Sequence, residues 1–93
     1  MTRRPRQDAA MSVVHQYAYG LSVFSWHWPP IDKGHSANQL ASILDPDPRV
    51  QRRVLRYLQE HRRPEMHALG DEVAARLSAQ AARRAMEAVR AAR

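Results

Sequence analysis

The sequence predicts a small all-α domain: four helices, the middle two short and joined by a tight turn, the last one long. Three observations lead there. Apolar residues recur at spacings of three and four in four separate stretches, the period of one helix face. No stretch alternates apolar and polar residues as a half-buried strand does. Pro29, Pro30, Pro46, Pro48 and Pro64 fall between the periodic stretches, where a ring that cannot continue a helix belongs. Ninety-three residues make one modest core but not two, and 44% apolar with 26% charged residues is ordinary for a folded chain.

Residues 1–7, MTRRPRQ, are short and basic and read as a disordered arm. Either Arg3 and Arg4 are simply solvated, or they reach a phosphate surface as basic arms do. Residues 8–93 are then the folded domain. Its first helix, about 8–28, carries Val14, Tyr17, Ala18, Leu21, Phe24 and Trp28 on one stripe, with Asp8 favouring the positive end of the helix dipole. Gly20 costs about 1 kcal/mol relative to Ala in a helix interior, which implies a compensating close approach. Five of the six aromatic residues lie between Tyr17 and Trp28. They form the centre of a core, or Tyr19 and Trp26, which fall off the stripe, are exposed anchors for a partner. A membrane span is the third reading. Residues 9–31 lack formal charge, but His15, Gln16, the hydroxyl-bearing side chains and two prolines make a poor span.

Residues 29–35, PPIDKGH, read as a linker rich in turn residues. The stretch Ser36–Arg63 organises the rest. Ser36 with Gln39 makes a capping box for a helix of about 36–45, whose apolar face is Leu40, Ile43 and Leu44. Pro46 forces Asp45 out of the α region and ends it. Asp47 is an N-cap and Pro48 suits the first position of a third helix, about 48–63. Val50, Val54, Tyr57 and Leu58 should face inward, while Arg49, Arg52, Arg53 and Arg56 recur at i, i+3, i+4 and i+7 on the opposite side.

Leu40-Ala41, Leu44, then Val54, Leu55 and Leu58 with arginines between them resemble the helix-turn-helix of bacterial transcription regulators, including winged-helix types. The resemblance covers roughly a third of the chain. It implies that Ala41 lets the two helices approach closely, and that the second of them enters the major groove with Arg49, Arg52, Arg53 and Arg56 near DNA. Asp45 stands where that family's turn usually has Gly. Val50 falls one place before the family's first apolar position, which Gln51 occupies. With no strand expected, no wing is expected either.

A last helix of about 65–92 carries Met66, Leu69, Val73 and Leu77 as a covering stripe, with Gly70 a local weakness. Beyond Leu77 the apolar residues thin to Ala, apart from Met86 and Val89, and Arg76, Arg83 and Arg90 repeat every seven residues. Such a half projects into solvent or docks on another chain. Arg83, Met86 and Arg90 are the residues of that half that would meet a partner.

Net charge is +6, with fourteen Arg and one Lys, and makes an anionic partner the first expectation. Residues 49–63 hold six arginines against one acid, Glu60. The absence of cysteine excludes disulfides, thiolate metal sites and Cys nucleophiles, and is compatible with a reducing cytoplasm. The polar residues that interrupt the first apolar stretch argue against a cleaved signal. No phosphate loop, nucleophile elbow or zinc-protease motif occurs, and His61 and His67 are not at i, i+4 spacing. The expectation is therefore not an enzyme, with no cofactor, metal or small-molecule substrate. DNA or RNA is the expected ligand, through Arg49, Arg52, Arg53 and Arg56 on the helix, with Arg62, Arg63, Arg3 and Arg4 on the backbone. The alternative is a non-enzymatic helical subunit or inhibitor, bound to a protein or nucleoprotein assembly through Tyr19, Trp26 and the C-terminal helix. The C-terminal helix could also join two copies of the chain.

Overall fold

The computed structural model describes residues 5–24 and 33–92, with the side chains of all of these except 22–24. Four helices follow in order: α1 (Pro5–Phe24), α2 (Lys33–Leu44), α3 (Pro48–Gln59) and α4 (Pro64–Ala91). There is no strand among the described residues, and the all-α class with a long C-terminal helix is as the periodicity predicts.

The core is the sum of the four apolar stripes. Val14 and Tyr17 come from α1, Leu40, Ala41 and Leu44 from α2, Val54 and Leu58 from α3, and Met66, Leu69 and Val73 from α4; all are buried. Each fully buried Leu or Met contributes about 2 kcal/mol through apolar area removed from water. The second helix lies between α1 and α4, while α3 packs chiefly on α4. That order leaves the outer side of α3 uncovered.

The helix ends differ from the sequence expectation in informative ways. Pro5–Gln7 are the first turn of α1, so an arm covering 1–7 is wrong for those three residues. Pro5 stands where a missing N–H costs nothing. Residues 1–4 lie outside the described residues, as do Trp26, Trp28 and the rest of 25–28. The second helix begins at Lys33, not Ser36. Ser36 lies within the helix and is buried, Gln39 is exposed, and the expected capping box is replaced by an ordinary helical turn. Lys33–His35 accordingly belong to α2 and not to the linker.

The α2–α3 turn is built as expected on one side and unexpectedly on the other. Asp47 is extended (φ −133°, ψ 95°) and its Oδ1 accepts from the backbone N–H of Arg49 at 3.1 Å and of Val50 at 3.3 Å. That is an N-cap, worth about 1 kcal/mol. On the other side Gln51 reaches back: its Nε2 donates to the carbonyls of Leu44 at 2.9 Å and Asp45 at 3.0 Å. The side chain at the position that differs from the regulator pattern satisfies the free carbonyls at the end of α2.

The third helix stops at Gln59, four residues before the expected end, and Glu60 to Arg63 form the turn into α4. His61 organises it. Its Nδ1 accepts from the Arg63 backbone N–H (3.1 Å), and its carbonyl accepts from His67 Nε2 (2.5 Å). Tyr57 was expected inside but is exposed, with its ring set edge-on to His61 at a centroid distance of 5.8 Å. It sits at the margin of the stripe, next to Leu58, which takes the buried place.

Gly70 is a packing device and not a weakness. A Cβ built on it would meet Leu58 Cβ at 3.1 Å and Gln59 Nε2 at 3.2 Å, so α3 and α4 touch there because the side chain is a hydrogen. Gln59 Nε2 in turn donates to Asp71 Oδ1 at 3.0 Å. From Ala81 to Ala91 every residue of α4 is exposed. The segment is held near its start by an ion pair between Arg84 and Asp45 of the α2–α3 turn.

Candidate nucleic-acid interface

The outward side of α3 follows directly from its inward side. With Val50, Val54 and Leu58 buried, a period of 3.6 residues turns Arg49, Arg52, Arg53 and Arg56 to solvent, and all four are exposed. None of the four forms an ion pair among the described residues. Arg62, in the turn after α3, is exposed and likewise unpaired there.

Arg53 differs from its neighbours. Its Nη1 donates to Gln7 Oε1 at 3.3 Å, which joins the middle of α3 to the first turn of α1. Nearby, Arg6 Nη1 donates to the Ile43 carbonyl at 2.9 Å, joining α1 to the end of α2. The residues of both clasps line one groove of about 710 Å³, together with Arg49 and the apolar Pro5, Ala9 and Val50. Arg6 was not among the residues expected to bind; it shared a segment with Arg3 and Arg4 that read as an arm. Its role becomes visible only when α1 starts at Pro5 and its partner, far along the chain, is known.

Arg63 is used differently from the rest of the cluster. It is half-buried, donates to the Ala18 carbonyl of α1 at 3.4 Å and lies 3.9 Å from Glu65. It braces the α3–α4 turn against α1, away from the α3 arginine face. Arg3 and Arg4 lie outside the described residues.

The alternative set of binding residues is spread over two surfaces. Tyr19 is 69% exposed on α1 and Met86 is 59% exposed on α4, with Val89 beside it. Arg83 and Arg90 are exposed on the same end of α4, while Arg76, half-buried, pairs with Glu72 at 3.1 Å in the favourable i, i+4 order. Trp26 lies outside the described residues, so the two tryptophans leave no geometry to join to Tyr19.

One phenol is perturbed. Burial, with the nearby Glu65 carboxylate adding to it, pushes the Tyr17 hydroxyl above the ordinary 10.0. Among the described residues no three His, Asp or Glu side chains converge as a metal site, and no helix is long and apolar enough to cross a membrane. Comparison with protein-family models, with curated proteins and with solved structures finds no match for the chain.

Proposed function

We propose that the protein is a small nucleic-acid-binding protein that presents α3 to the duplex in the manner of a helix-turn-helix regulator. The observation that carries this reading is the α3 face: four guanidinium groups at one period, exposed and without a carboxylate partner among the described residues. Neither Asp47 at the start of α3 nor Glu60 at its end forms an ion pair with any of the four, so the guanidinium groups stay available to an anionic ligand. Arg52 and Arg56, which make no side-chain bond among the described residues, are the residues for base edges or groove phosphates. Arg62 adds a backbone contact from the turn.

A second reading is favoured by the last third of α4. Exposed Met86 and Val89 on an Ala-rich helix suit a non-enzymatic subunit that docks on another protein or a second copy of this chain. Both readings leave the protein without a catalytic role.

The test is fluorescence anisotropy of a labelled random duplex of about 30 base pairs at about 50 and 200 mM salt. Binding should fall steeply as salt rises. Changing Arg52 and Arg56 together to Ala should weaken it about tenfold or more, with no loss of melting temperature. Unchanged affinity in that variant overturns the assignment to α3.

A further inference from the structure

We infer that the groove between the first turn of α1 and the start of α3 is a phosphodiester site, in which Arg6 and Arg49 grip the nucleic-acid backbone and so fix how α3 lies on the duplex. The inference rests on the nucleic-acid reading above and names a contact that reading does not contain.

Four observations carry it. First, the groove gathers three guanidinium groups, Arg6, Arg49 and Arg53, from two helices that are remote in sequence. Second, two of the three are already held. Arg6 is tied to the Ile43 carbonyl and Arg53 to Gln7 Oε1, each through one N–H. A guanidinium has five N–H donors, so each keeps most of its fork for a ligand, with little left to order on binding. Third, the acid in the wall, Asp47, has its Oδ1 turned onto the backbone N–H groups of Arg49 and Val50, so the lining stays net positive. Fourth, at about 710 Å³ the space far exceeds a single phosphate, and its Ile43 and Val50 walls suit a sugar. Cations and apolar residues lining one space match a sugar–phosphate strand better than a free anion.

Position gives the groove its purpose. Arg49 and Arg53 are one turn apart on α3, interleaved with Arg52 and Arg56 on the same side. Backbone contacts fix register without carrying sequence information, and base contacts then read it. The groove would set the depth and direction of α3, and α1 would become part of the interface.

The test compares wild type, Arg6→Gln and Arg49→Gln for duplex binding across a salt series, with melting temperature as the fold control. Arg49 makes no side-chain bond among the described residues, so its variant keeps the test informative even if Arg6→Gln loosens α1. Each variant should lower the slope of log affinity against log salt by about 0.9, the share of one phosphate. Each should also weaken binding to all duplexes equally. Wild-type slopes in both variants would overturn the groove and leave the α3 reading standing. Absence of duplex binding by the wild type at low salt would remove both. Displacement of the duplex by inorganic phosphate at matched ionic strength would mark a free-anion site and overturn the diester assignment.

Discussion

Single side chains do much of the joining between elements in this protein. Gln51 closes the end of α2, Asp47 opens α3, and Arg84 pairs with Asp45 between those two caps. Tyr17 is the buried residue whose chemistry makes a pH-dependent statement about stability. Its folded phenol holds its proton to a higher pH than the unfolded one, because burial and Glu65 both oppose the phenolate. The unfolded state therefore releases its proton first, near pH 10.0, and above that value it binds fewer protons than the native state. Stability from this group is complete below the ordinary phenol value and is lost as pH rises from there through the higher folded value. Melting temperature should fall as pH rises above about 10, and Tyr17→Phe should flatten that fall. An identical decline in both proteins would rule Tyr17 out as its source.

At the scale of elements, the apolar period was enough to find all four helices and most of their inner faces, Tyr57 apart, since burial of Leu40, Val54, Leu58, Leu69 and Val73 supports those stretches as helices. The ends were less legible. Ser36 and Gln39 match a capping box locally, but the helix starts three residues earlier, and a buried Ser36 then has no free turn to cap. Arg6 finds its acceptor 37 residues away and Arg53 its acceptor 46 away, so neither half of the groove is written in any local pattern. The arginine face of α3, by contrast, was legible in full because it is the complement of a periodic core face.

Gly70 shows the same limit from the other side: helix propensity alone reads it as a defect. Gly70→Ala would gain about 1 kcal/mol of propensity in an open helix, but Leu58 Cβ, rooted on its own backbone, cannot retreat from a new methyl at 3.1 Å. Overpacking costs about 1–3 kcal/mol. The variant should therefore lower stability in urea denaturation; a gain would mean that α3 and α4 separate easily.

For the whole molecule, the four helices divide into a packed body and a projecting rod. The last helix has 28 residues, about 42 Å of length, and its final third adds nothing to the core. Ending the chain after Ala85 retains the Arg84–Asp45 pair and should change stability by no more than about 0.5 kcal/mol. Thermal melts check this, and a large drop would show that the rod docks on its own body. Light scattering of the two forms at rising concentration asks the complementary question, whether Met86 and Val89 join two copies of the chain.

The turn between α2 and α3 has one more consequence. No described residue takes a positive φ, so this turn reverses the chain without the left-handed glycine a tight connection usually recruits. Pro46 and Pro48 take its place, with rings that restrict the backbone whether or not the protein is folded. Part of the geometry that sets α3 at its angle is thus already present in the unfolded ensemble, which has less conformational freedom to surrender when the domain assembles. The orientation of the arginine face rests on a bias of the free chain as well as on contacts in the native one.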